Sequence, residues 1–360
     1  MPISAQRLTT FRRLAETLVI ATAGGLGLGL TGVPGGYLSG SILVVSTAAL
    51  VGRPMLIPIP MMRVLFVLLG TSLGAVVTPE TLNGMAAYPL SITVLLAAMA
   101  CIGFCCASYL QVAHGWDRMS AYLASAPGGM SQVLAVGAEI GADLRAIAIV
   151  QSMRVVIIAV GLPSGLALLG LAGHVVRPPG PPLTLASLDE MAILIGAASI
   201  AAFAAHRFRM PGGLLFGAMF ASAGLHGSAI IDVAMPWWVT NTAAIALGAI
   251  IGARFAHMRL RLFVSFLGAA FGSMAIALTI AAVFAAGLLF LVKLPLAEVV
   301  IAFAPGSVDA MMLLALALHL DPVYVGAHHV VRILFVGLAM PLLARREAKR
   351  QAKPAPASDT

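Results

Sequence analysis

From residue 14 to residue 343 the chain passes through one apolar stretch after another, each about as long as the roughly 20 residues a helix needs to cross a bilayer. Inside hydrocarbon every backbone N–H and C=O must find its partner within the protein, so such a chain folds as packed membrane helices. The composition agrees: 61% of residues are hydrophobic and 9% charged, where a soluble domain carries about 25% charged residues. The reading is an all-α polytopic membrane protein. Its twelve apolar segments lie at 14–31, 33–52, 60–78, 87–111, 117–140, 144–170, 189–205, 210–228, 235–253, 262–292, 296–319 and 322–343.

The segments fall into two sets of six. Ala126-Pro127-Gly128-Gly129-Met130-Ser131, followed by Asp143 and Arg154, matches Ala304-Pro305-Gly306-Ser307-Val308-Asp309, followed by Asp321 and Arg332, at a constant offset of 178 residues. Pro34-Gly35-Gly36 with Gly40 matches Pro211-Gly212-Gly213 with Gly217 at 177, and Gly70 and Gly74 match Gly248 and Gly252 at 178. Independent Pro and Gly landmarks that keep one spacing mark an internal duplication. The expected organisation is a first membrane repeat over 1–172, a Pro-rich linker over 173–188 containing Arg177-Pro178-Pro179-Gly180-Pro181-Pro182, a second repeat over 189–343 and a basic cytoplasmic tail over 344–360.

Charge decides how the repeats are expected to lie. If all twelve segments cross with the N-terminus inside, 12 basic residues fall inside and 6 outside. If the segments at 117–140 and 296–319 enter and return on one side, the second half turns over. Arg145, Arg207, Arg209, Arg254, Arg259 and Arg261 then move inside, Arg177 and Lys293 move out, and the count becomes 16 to 2. The positive-inside rule favours the second arrangement, which makes the repeats inverted and puts both termini in the cytoplasm. The short Pro34 to Val51 segment is the competing candidate for the one that does not cross.

Pro-Gly about ten residues into a membrane segment breaks a helix where lipid cannot satisfy the freed backbone groups, so the break is buried or lines a watered cavity. The expected binding site is therefore Pro127, Gly128, Gly129, Ser131 and Gln132 in the first half, facing Pro305, Gly306 and Ser307 in the second. The N-terminus of the half-helix after each break favours an anion. Asp309 stands where the first copy has Ser131; a carboxylate at that depth costs roughly 2.5–3.5 kcal/mol and needs a proton, a cation or a partner. It is the first candidate for coupling to H+ or Na+, with an N-capping role as the alternative. Arg154 and Arg332 are expected either to contact an anionic ligand or to pair with Asp143 and Asp321, which precede them by eleven residues in both halves. His328 is a candidate proton relay.

Other chemistry finds little in the residues. The remaining histidines are dispersed without HxxxH or HExxH spacing, so neither a catalytic nor a metal site is expected. Cys101, Cys105 and Cys106 read as small buried hydrophobes. The net charge of +8 comes from chain ends and short loops rather than one dense patch, which argues for topology anchors and against nucleic-acid binding.

The runs Ala126 to Ser131, Gly141-Ala142-Asp143-Leu144-Arg145, Gln151-Ser152-Met153-Arg154 and Ala327-His328-His329-Val330-Val331-Arg332 resemble the paired signatures of the duplicated-domain membrane AbrB family. Two positions depart from that pattern: Ser307 stands where a second Gly is expected, and Asp309 where Glu is. The resemblance implies a bacterial inner-membrane protein. It leaves the activity open, since members carry labels such as "ammonia monooxygenase" and "AbrB-type transcriptional regulator". It is also similar in plan to the cation/proton antiporter and anion transporter group, with crossed broken helices in inverted repeats. The expected function is secondary transport of a small organic anion, as exporter or ion-coupled symporter. No cofactor and no enzymatic step is expected; the partners are the lipid bilayer, an anionic small molecule and H+ or Na+, and a homodimer is allowed. The alternative is a membrane-embedded regulator of gene expression that moves nothing.

Overall fold

The computed structural model describes residues 3–33, 35–75, 77, 88–127, 130–168, 185–210, 212–233, 235–256 and 258–351. Among them there are helices and turns but no strands. The first half contains α1 (Ile3–Gly29), α2 (Gly36–Leu50), α3 (Ile59–Gly74), α4 (Tyr88–His114), the short pair α5 (Arg118–Ser125) and α6 (Met130–Glu139), and α7 (Leu144–Leu168). The second contains α8 (Leu185–Arg207), α9 (Gly213–Gly227), α10 (Trp237–Gly252), a 3-10 turn at Ala253–Phe255, α11 (Leu260–Ser265), α12 (Leu267–Leu291), the short pair α13 (Leu296–Phe303) and α14 (Val308–Ala317), and α15 (Pro322–Gln351).

Six helices among the described residues are long and apolar enough to cross a membrane: Tyr88–His114, Leu144–Leu166, Leu188–Arg207, Trp237–Phe255, Leu267–Leu291 and Pro322–Met340. This makes the chain a multi-pass membrane protein. Two segments differ from the sequence expectation. The one at 262–292 is divided at Phe266, between α11 and α12. The last helix continues past residue 343 to Gln351, so the basic tail begins as helix; most of the Pro-rich linker, 173–184 of its 173–188, lies outside the described residues.

Helix boundaries recur at the sequence offsets. The pairs α2 and α9, α3 and α10, α5 and α13, and α6 and α14 each start and end 177 or 178 residues apart. The first glycines of the two Pro-Gly-Gly runs act alike. Gly35 (φ 67°) and Gly212 (φ 66°) cap α2 and α9 in the left-handed region, where a Cβ is strained. Packing is exchanged between copies: α2 lies against α10 and α3 against α9. A Cβ on Gly70 would overlap the Leu215 carbonyl, and one on Gly248 the carbonyl of Leu38, the residue equivalent to Leu215. Absence of a side chain brings the backbones together there, as in small-xxx-small packing. Gly248→Val is expected to destabilise by about 1–3 kcal/mol through overpacking. The check is the apparent Tm in detergent, with Gly27→Ala, which meets open space, as the unaffected control.

Candidate functional site at two helix breaks

Each break follows from its proline. The residue before proline is driven to extended backbone, and Ala126 (φ −59°, ψ 120°) and Ala304 (φ −56°, ψ 129°) both leave helical geometry there. Pro127, Pro305 and Gly306 are buried, and Gly306 N–H turns back onto the Ala304 carbonyl at 2.8 Å. Ser307 then caps α14, its Oγ accepting from Ala310 N–H at 3.4 Å. Gly128 and Gly129, and the side chains of Ser131 and Gln132, lie outside the described residues.

A helix that stops inside the protein leaves its last four carbonyls without partners. Here the repeated arginines take them. Arg154 donates through Nη2 to Ala126 O at 2.7 Å and through Nη1 to Ser125 O at 3.3 Å and Ala124 O at 3.5 Å. Gln151 Nε2 donates to Leu123 O at 2.8 Å, so all four orphan carbonyls of α5 are covered. In the second half Arg332 donates to Ala304 O and Ala302 O, both at 2.7 Å. His329, at the position of Gln151, sits beside Ile301, the counterpart of Leu123, without a hydrogen bond of good geometry. Both guanidinium groups are buried (Arg154 7%, Arg332 1% exposed) and each complements the negative end of a helix. Their like charges act on one another, α14 packs on α7 and α15 packs on α6, so the two breaks converge.

Asp143 and Asp321 are helix caps rather than arginine partners. Asp143 Oδ1 accepts from Arg145 and Ala146 N–H at 3.0 Å, and Asp321 Oδ1 from Val323 and Tyr324 N–H at 2.8 and 3.3 Å. The equal spacing to arginine follows because both residues sit on one helix, cap and interior, and the arginine's acceptors are main-chain carbonyls. A sequence search for acidic partners misses them, since a carbonyl has no residue type. The signal that points to them is the constant interval of 28 residues from Ala126 to Arg154 and from Ala304 to Arg332.

Asp309 is half-buried in the first turn of α14, whose cap is Ser307, so the N-capping role falls to the serine. The charge acting on Asp309 is Arg254, from the 3-10 turn after α10. Arg254 Nη1 reaches Met130 Sδ, the first residue of α6, at 4.0 Å. One guanidinium therefore touches the start of α6 and acts by its charge on the first turn of α14. By its place in the sequence Arg254 counts among the loop charges; without it the favoured topology count is 15 rather than 16. The corresponding position in the first half is Val76, so the cation belongs to one copy alone.

His328 is fully buried and bonds Ser91 Oγ at 2.8 Å and the Tyr324 carbonyl at 2.7 Å. Among the described residues no three His, Cys, Asp or Glu side chains gather as metal ligands. The Cys101 and Cys105 sulfurs lie 4.0 Å apart and Cys106 donates to Ser273 O.

A family model described as "Transition state regulatory protein AbrB" matches residues 37–347. The chain is similar to "Uncharacterized protein YhjN" of Bacillus subtilis (strain 168), 26% identical over 353 residues and covering 90% of each chain. It is also similar to "Putative regulator AbrB" of Escherichia coli (strain K12), 24% identical over 286 residues, covering 76% of this chain and 77% of that one.

Proposed function

The chain belongs to the membrane AbrB family, and on that premise we propose that it is an ion-coupled secondary transporter of a small organic anion across the bacterial inner membrane. The observation that carries the reading is Arg254, a guanidinium that touches Met130 and acts by its charge on Asp309, residues at the starts of two half-helices. Helix N-termini and a guanidinium each favour a carboxylate, and together they form a positive focus enclosed by protein. Arg154 and Arg332 hold the carbonyl ends of the broken helices, which keeps the two half-helix starts in place. In this reading their contribution to binding is positional.

Asp309 supplies the coupling. While ionised it neutralises Arg254 and opposes a second anion; once protonated, or screened by a cation, it releases the guanidinium to the cargo. Anion and coupling ion then move together, as in a symporter, and the cargo leaves chemically unchanged. The reading includes the inverted repeats and cytoplasmic termini that the charge distribution favours.

Proteoliposomes should accumulate a radiolabelled carboxylate from a mono- and dicarboxylate panel when a pH or Na+ gradient is imposed. If no member of the panel moves faster than in empty liposomes under either gradient, the proposal fails. The names of the matching family and of the E. coli relative favour a second reading, a membrane regulator. Ending the chain before Ala344 separates the two: a transporter keeps its flux within about twofold, whereas a regulator that docks a cytoplasmic partner through the basic tail loses its effect on expression.

A further inference from the structure

Beside the second break lies a polar cluster that the fold itself does not require. Tyr88 Oη donates to Asp321 Oδ2 at 2.9 Å, and Asp321 N–H donates to Glu298 Oε1 at 3.3 Å. One turn along α4, Ser91 Oγ lies 3.0 Å from the Tyr88 carbonyl and 2.8 Å from His328 Nε2. The Tyr324 ring stacks obliquely on His328 at 4.2 Å and edge-on to Tyr88 at 5.3 Å; its buried hydroxyl lies beside Ser91 without a bond of good geometry. At the offset of 178 the other half has Phe266, Ala269, Ala146 and Val150 in place of Tyr88, Ser91, Tyr324 and His328. An apolar set therefore serves the equivalent packing of α7 on α12, and the polar set has been installed on one side only.

The hydrogen bonds show what the cluster can hold. A carbonyl has no proton to give, so His328 Nδ1 carries the proton donated to Tyr324 O, and in neutral imidazole Nε2 must accept. Ser91 then donates to Nε2. When Nε2 is protonated it donates to Ser91 Oγ instead, and the serine hydroxyl turns to the Tyr88 carbonyl already within reach. No bond is lost in either state, so the cost of a buried unsatisfied group is avoided in both.

We propose that Tyr88, Ser91, Tyr324 and His328, with the half-buried Asp321 and Glu298 at the rim, form a reversible proton-binding site that makes H+ rather than Na+ the coupling ion. Glu298 collects the proton; its O–H bond breaks, an N–H bond forms on Nε2, and Ser91 only rotates. Na+ is a hard cation that wants several free oxygens, whereas Asp321 already accepts from two backbone N–H groups and Tyr88. The charged and titratable groups around His328 are Tyr88 from α4, Glu298 from α13, and Asp321, Tyr324, His329 and Arg332 from its own helix. Arg332 lies one turn on, so an imidazolium opposes the guanidinium that clamps Ala302 and Ala304. Proton occupancy is thereby read out at the break. Only the use made of the proton rests on the transport proposal; the site stands on its own geometry.

The test is NMR of [15N]histidine-labelled full-length protein in detergent, with the His328 signal assigned by loss in His328→Gln. His328 is expected to be the Nδ1–H tautomer at pH 8 and to become imidazolium as the pH falls. Ser91→Ala should require roughly tenfold more protons for the same change, and Ser91→Thr should restore the wild-type titration. A His328 that stays neutral down to pH 4.5, or that titrates alike in wild type and Ser91→Ala, overturns the site. Flux then tests the use: replacing Na+ by choline should leave carboxylate uptake unchanged, and His328→Gln should reduce its response to a pH gradient to the part that Asp309 carries, an unchanged response overturning the coupling role of the cluster. Na+-dependent uptake overturns the coupling while leaving transport intact, and a wild type that moves no carboxylate sinks the transport proposal while leaving the titration standing.

Discussion

Arg332→Ala is expected to destabilise the protein by about 3–5 kcal/mol, since two hydrogen bonds from a charged group, each worth roughly 1.5–3 kcal/mol, are lost. The loss has three sources. Two carbonyls held at 2.7 Å are left without donors at a site 1% exposed, a cavity opens, and the negative end of α13 loses its counter-charge. The change should appear as a lower apparent Tm in detergent and as faster proteolysis near Pro305. Arg154→Ala should cost less, because two of its three bonds are 3.3 Å or longer and Gln151 continues to hold Leu123 O. Lysine at 332 should recover part of the loss, having charge but no planar fork. If Arg332→Ala melts with an exposed control such as Arg261→Ala, the clamp carries no weight in the fold.

Arg254→Gln is expected to weaken carboxylate binding about 100-fold while leaving the fold intact, since a fully engaged charge pair is worth roughly 2–5 kcal/mol. Isothermal titration with the carboxylate that stabilises the wild type most would measure it. Asp309→Asn makes the complementary prediction. In the wild type, affinity should rise as the pH falls, because protonation removes the carboxylate that competes for Arg254; in the asparagine variant affinity should be high and flat with pH. An Arg254→Gln protein that binds as the wild type does would remove Arg254 from the site and leave the breaks without their cation.

Arg254 also shows why parts of the site are illegible in sequence. Nothing separates it from Arg259 or Arg261 along the chain, since all three follow an apolar helix and precede the next. Its difference is one of placement: the 3-10 turn at Ala253–Phe255 turns it toward Met130, a residue 124 positions earlier. The Tyr88, Ser91 and His328 cluster is hidden for the same reason, as its bonds span 233 and 237 positions. The arginine clamps were half visible: the residues repeat with the breaks, but their partners are carbonyls. Asp143 and Asp321 were legible as repeated residues and misleading as partners, because cap and clamp lie on one helix and keep one spacing for two separate jobs.

The sequence alone determined that this is a multi-helix membrane protein with each short helix pair interrupted at Pro127 and Pro305, because hydrocarbon forces backbone bonds to be local and proline decides locally where they fail. Tertiary structure alone decided what meets the freed ends. That choice depends on which helices cross at the breaks: the crossing brings Arg154 and Arg332 to carbonyls, which have no residue type to mark them as partners, and Arg254 to a carboxylate that no repeated spacing relates to it.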